Sequence, residues 1–119
     1  AFLSVHEGPQ RIAKTGTTAL LPGMIVSNEP GYYLPEHFGI RTENLLLVVH
    51  REVPCAERET LGFETISLAP IDVGPIERSL LNEDEIAWLN AYHARVREEI
   101  GPRLDEATRR WLEQATAAI

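Results

Sequence analysis

The sequence predicts an α+β chain, an antiparallel sheet followed by two helices, and three observations predict it. Two strand-like runs, residues 23–29 and 40–49, flank a stretch broken by Pro30, Gly31, Pro35 and Gly39, residue types that interrupt regular structure. A further run over 60–68 alternates Leu61, Phe63 and Thr65 on one face, as a strand does. From Ser79 onward the apolar residues recur at helical spacing instead.

In order, residues 1–5 are already strand-like, and the chain opens without Met, as though begun in the middle of an element. His6-Glu7-Gly8-Pro9 closes that run. Residues 10–21 are polar and read as a loop, and Leu21-Pro22-Gly23 turns the chain into the strand that ends at Glu29. Tyr32 and Tyr33 follow the Pro-Gly break, one ring expected to pack and the other free to line a pocket. His37 lies in the connection, where solvation is a simpler reading than metal ligation. Residues 51–59 are charged, contain Pro54 and join two strands. Residues 69–75, with Pro70, Gly74 and Pro75, form a bend at which the organisation changes.

The first helix has a signature at its start. Asn82 is an N-cap, and Glu85 three residues on completes a capping box, with Leu81 placed to staple against Ile86. Ile86, Leu89, Tyr92 or His93, Val96 and Ile100 then recur on one face, and Gly101-Pro102 stops the helix. A second helix, residues 104–117, is expected to turn Leu104, Ala107, Trp111, Leu112 and Ala115 inward. Trp88 and Trp111 read as core or interface anchors, and the Glu98–Glu99 and Arg109–Arg110 pairs as solvated faces.

The chemistry gathers at two glutamates. Glu29 and Glu43 are fourteen positions apart, and antiparallel pairing across the connection would bring both carboxylates into one neighbourhood. A carboxylate inside an apolar strand is costly unless paired or bound to metal. Two that face each other repel unless a cation sits between them. Oxygen ligands of this kind suit manganese or magnesium better than copper. The bland reading places both glutamates in solvent on edge strands. The flanking Pro30-Gly31 and Gly39-Ile40-Arg41 shift the balance towards a site.

Composition bounds the rest. A chain of 119 residues, 44% hydrophobic and 24% charged, is one globular domain with a modest core. A net charge of −7 without a basic cluster argues against nucleic acid as a partner. No apolar run approaches a membrane span, and the first residues lack the basic and apolar regions of a signal peptide. Cys55, the only cysteine, can form no internal disulfide and has no base beside it. It reads as a bystander thiol and fits a reducing cytoplasm.

Four motifs in series carry a family resemblance: His6-Glu-Gly-Pro9, Asn28-Glu-Pro-Gly-Tyr-Tyr33, Phe38-Gly-Ile-Arg-Thr-Glu-Asn44 and Phe63-Glu-Thr-Ile-Ser-Leu68. Together they resemble the C-terminal part of aminopeptidase P, the Xaa-Pro aminopeptidases of the pita-bread metallopeptidase superfamily. The tail, with Trp88-Leu-Asn-Ala-Tyr-His93 and Trp111-Leu112, resembles that enzyme rather than prolidase or creatinase. The resemblance covers essentially the whole chain. It implies that residues 1–76 are the C-terminal half of a pita-bread catalytic domain and residues 77–119 a helical extension.

By that resemblance Glu29 is similar to the glutamate that binds one metal and handles the proton of the attacking water. Glu43 is similar to the carboxylate bridging two manganese ions, His6 to the substrate-contacting catalytic histidine, and Arg41 to the arginine beside the bridging glutamate that orients the site and meets substrate. The reaction implied is release of the N-terminal residue from peptides with proline in second position. The family's site also draws two aspartates and a histidine from upstream of the His-Glu-Gly-Pro motif, which this sequence does not contain. The chain alone is therefore expected to be inactive and to bind manganese weakly, and its open strand edges to favour a homodimer. Two other readings stand beside this one: a pita-bread module that binds peptides or partners without catalysis, and a structural or regulatory piece of a longer enzyme.

Overall fold

A computed structural model describes residues 8–119; the strand expected over residues 1–5, and His6, lie outside them. The chain divides into two units, the boundary falling between Ser67 and Leu68.

The described residues of the first unit carry five strands: β1 (Ile25–Asn28), β2 (Gly31–Leu34), β3 (Phe38–Arg41), β4 (Asn44–His50) and β5 (Leu61–Thr65). All pairings are antiparallel, giving one sheet of order β1-β4-β5 and a separate β2-β3 ladder. Val26 opposes Leu46, and Val48 opposes Phe63, so these side chains share a face, on which Val26, Leu46, Val48 and Asn44 are buried. The register puts Leu61, Phe63 and Thr65 on that face, as their alternation predicts, yet Leu61 and Phe63 stay exposed. Ile25 and Leu45, on the other face, are exposed as well.

Two expectations need correcting. The single strand expected over 40–49 is interrupted at Thr42-Glu43, and the irregular connection before it is itself a hairpin. The glycines read as chain breakers are strand residues. A Cβ on Gly31 or Gly39 would come within 2.8 or 2.6 Å of the Tyr33 ring, which lies over both. Glycine here makes room for an aromatic side chain within the ladder. Pro35 does turn the chain: His37 N–H donates to Leu34 O at 3.1 Å across a tip in which Glu36 adopts φ 62°. Proline then a left-handed residue is the pattern of a type II turn, in which glycine is usual at the second position.

The second unit is helical. Helix α1 (Glu83–Ile100) opens with the expected capping box: Glu85 N–H donates to Asn82 Oδ1, and Asn82 N–H to Glu85 Oε2, both at 2.9 Å. It ends where predicted, but by a different device. Gly101 stays right-handed at φ −49°, so no left-handed cap forms; a short 3₁₀ turn, Gly101–Arg103, follows. The helix stops because Pro102 brings no N–H to continue the ladder. Helix α2 (Glu106–Ala115) starts at Asp105, whose carboxylate accepts from Thr108 N–H at 2.9 Å.

Tyr92, Val96 and Leu112 form the core, with Leu68, Ile71, Ile100 and Leu104 packed around them. Tyr92 and His93 are both buried, so the helix turns both alternatives inward. The Tyr92 hydroxyl donates to Ala69 O at 2.7 Å and Ile71 N–H donates to His93 Nε2 at 3.1 Å, so the bend after Ser67 is tied to α1. Ala107 and Trp111, expected inward, are exposed, and so is Trp88. Trp88 instead stacks on Tyr92, ring centroids 5.5 Å apart and nearly coplanar in orientation at 3°.

Candidate metal centre

The junction between the two ladders of the first unit holds the candidate site. β1 and β4 end their pairing at Asn28 and Asn44, and β2 and β3 begin theirs at Gly31 and Arg41. Glu29 and Glu43 are the residues just outside the first ladder, one on each chain. They therefore face each other at the break, as the sequence predicts, although the strands are shorter than expected. Thr42 N–H donates to Pro30 O at 3.1 Å and closes the gap. Below it the start of β4 is clamped to the chain after β5: Leu45 N–H donates to Ser67 Oγ and Ile66 N–H to Leu45 O, both at 2.9 Å.

Among the described residues the charges are arranged around one cation. Arg41 Nη1 lies 3.0 Å from Glu29 Oε2, and Nη2 lies 3.1 Å from Glu43 Oε2. The guanidinium thus joins the two carboxylates, and repulsion between them is relieved by a side chain. On the Glu29 side, the Ser27 hydroxyl donates to Oε1 at 2.7 Å. Ser27 is a partner that the sequence reading missed, although its position two residues before Glu29 places both on one face of extended chain. Tyr33 was also left open there; lying over Gly31 and Gly39, its ring shares a ladder face with Arg41. The side chains are half-exposed, 49% for Arg41, 29% for Glu29 and 41% for Glu43, so the pair opens to solvent.

The other ligand candidates lie elsewhere. His37 is exposed at the hairpin tip. His50 pairs through Nδ1 with Glu59 at 2.6 Å, beside a shallow concavity lined by residues such as Arg51 and Arg58. None of Glu29, Arg41 and Glu43 lines that concavity. Cys55 is exposed. Among the described residues no group of three or more His, Cys, Asp or Glu side chains could hold a metal ion. Two facing carboxylates that already require a positive charge fit one side of a site for a hard divalent cation, and supply only part of its coordination.

Comparison with known proteins gives the family and the fold. Residues 59–119 match the C-terminal region of peptidase_M24, and residues 2–50 match metallopeptidase family M24. Aminopeptidase P2 of Arabidopsis thaliana is 49% identical over 94% of the chain, which spans 16% of that protein. Aminopeptidase P1 of Lotus japonicus is 41% identical over the whole chain, which spans 19% of its length. Among solved structures, the X-prolyl aminopeptidase of Caenorhabditis elegans, a cytosolic enzyme with a di-nuclear active site, superposes with a TM-score of 0.75 at 37% identity. That match covers 87% of this chain and 18% of the nematode one. The chain thus spans about a fifth of the length of the relatives it matches, and its antiparallel sheet with two C-terminal helices is the corresponding part of the pita-bread fold. Among the described residues no helix is long and apolar enough to cross a membrane.

Proposed function

Since the chain belongs to metallopeptidase family M24, in which it is similar to the C-terminal part of aminopeptidase P, we propose that it serves a metal-dependent Xaa-Pro aminopeptidase. The reaction is release of the N-terminal residue from peptides whose second residue is proline. The observation that carries this reading is the facing pair Glu29 and Glu43, held at a strand junction and bridged by one cationic side chain.

Glu29 and Glu43 would hold the metal, and their oxygen donors favour manganese. Two bound ions would supply Lewis acidity and an activated water at neutral pH. The chain's own residues do the rest. Glu29, its Oε1 oriented by the Ser27 hydroxyl, takes the proton of the attacking water. His6, which lies outside the described residues, donates to the oxyanion that develops on the scissile carbonyl. Arg41 meets the substrate. On this reading the chain on its own binds manganese weakly and cleaves no peptide, since two carboxylates supply only part of the coordination that two metal ions take. Its strand edges favour a homodimer of the chain, and a cytoplasmic setting fits the single exposed cysteine.

The test is a chimera in which this chain replaces the matching segment of the nematode enzyme. It should cleave an Xaa-Pro dipeptide, and Glu29→Gln in the chimera should lower kcat at least a hundredfold. A chimera that folds, loads metal and does not cleave would overturn the proposal.

A further inference from the structure

Resting on the assignment of Glu29 and Glu43 as metal ligands, we infer that Arg41 is the resident counter-cation of the site: it holds the two carboxylates together before a metal arrives and releases them when one binds. Metal loading is then an exchange of one cation for another. The geometry carries this in three ways. First, the guanidinium is forked across the pair, with Nη1 on Glu29 and Nη2 on Glu43, and takes one oxygen from each carboxylate. The same two carboxylates are the donors that a cation lying between the glutamates would use. Second, Arg41 stands only two residues before Glu43, and its ion pairs show the side chains meeting on one side of the junction. Glu29 reaches them from the opposite chain, and the junction closed by Thr42 N–H to Pro30 O keeps the three together.

Third, the bridge is strong enough to form and weak enough to yield. Arg41 is the most exposed of the three, at 49%, and ion pairs this accessible to water are individually modest. Glu29 meanwhile keeps its Ser27 hydrogen bond on the other oxygen, Oε1, at 2.7 Å, so it stays oriented while Oε2 changes partner.

A competing cation and a merely orienting one act on metal binding with opposite signs, and that makes the test. Manganese alone is titrated into the chain, followed by water-proton relaxation, which reads weak binding, with Arg41→Met, Arg41→Lys and Glu43→Ala alongside. Arg41→Met keeps the stem and removes the competitor, so the ion should bind about threefold to thirtyfold more tightly, the combined size of two exposed ion pairs. Arg41→Lys, a compact charge that cannot span both carboxylates, should fall between Arg41→Met and the parent chain. Equal or weaker binding in both variants would overturn the inference and make Arg41 an orienting residue. Should Arg41→Met fail to fold, as judged by circular dichroism, Arg41→Lys decides alone: tighter binding supports the exchange, unchanged or weaker binding overturns it. Glu43→Ala should abolish binding. If it does not, or if no form of the chain binds, the ligand assignment itself falls and the inference with it.

Discussion

The two units treat polar side chains in opposite ways. In the sheet unit the ionised groups Glu29, Arg41 and Glu43 stand half in water at a break between two ladders, compensated by one another. In the helical unit a polar ring, His93, is fully buried beside the core of Tyr92, Val96 and Leu112. One arrangement keeps charge accessible and exchangeable, as a site needs. The other commits a polar group to structure, where its hydrogen bond fixes a bend against a helix. The difference predicts that the helical unit is sensitive to small changes and the site residues are dispensable for folding. Both tryptophans lie in the helical unit, so their fluorescence follows that unit selectively.

The largest effect is expected in the apolar core. Leu112 is 2% exposed and packs with Tyr92 and Val96. Leu112→Ala should cost about 2–5 kcal/mol, the range for deleting a buried leucine side chain. In a chain of this size the tryptophan-detected unfolding midpoint in urea should fall markedly. A loss below about 1 kcal/mol would mean that this core yields easily, and the contrast between the units would weaken.

His93 tests the polar half of the comparison. Burial pushes its pKa below the ordinary histidine value, and the nearby positive charge of Arg97 pushes the same way. The Ile71 N–H needs the Nε2 lone pair, which only the neutral ring offers, and Nδ1 then carries the proton without a hydrogen-bond partner among the described residues. Because the folded-state pKa lies below the unfolded one, the unfolded chain takes up a proton first as pH falls. The contribution is therefore fully present above about pH 6.5, the ordinary value, and is lost as pH falls from there towards the folded-state pKa. Tryptophan-detected stability should decline from pH 7.5 to pH 5. His93→Gln, which keeps an acceptor for Ile71, should flatten that decline. An equally steep fall in His93→Gln would place the sensitivity in another group.

The features legible in the sequence are those set by local rules. Asn82 and Glu85 announced the first helix because a capping box involves only neighbours, and the glutamates could be placed opposite each other because breakers flank both. What stayed hidden depends on contacts between residues distant along the ladder or helix. Gly31 and Gly39 read as breaks, since nothing local says that the Tyr33 ring lies across both. Trp111 read as inward, since helical period defines a stripe but not which flank of it the neighbouring segments cover; the structure leaves it 57% exposed. Ser27 escaped attention because a serine in a strand carries no signal until its hydroxyl is seen on Glu29. The guanidinium bridge was half visible: facing carboxylates demand a cation, and the residue that supplies it, Arg41, lies within the same motif.

The smallest effect sharpens the comparison most. Glu43→Gln removes one of the two ion pairs to Arg41, but it also removes one of two like charges at the junction. Exposed pairs of this kind are usually worth under about 1 kcal/mol, and relief of the carboxylate repulsion opposes the loss. Stability should thus move by less than about 1 kcal/mol in either direction, and tryptophan-detected unfolding, which reads the other unit, should be unchanged. Amide exchange in β1 and β4 is the local measurement, since their ladder ends at Asn28 and Asn44, next to the glutamates. Little change in exchange there, together with lost manganese binding, would mark Glu43 as a residue held for chemistry, which the fold does not require. A loss above about 2 kcal/mol, with faster exchange along β4, would make the ion-pair bridge a structural clasp, and the contrast with His93 would disappear.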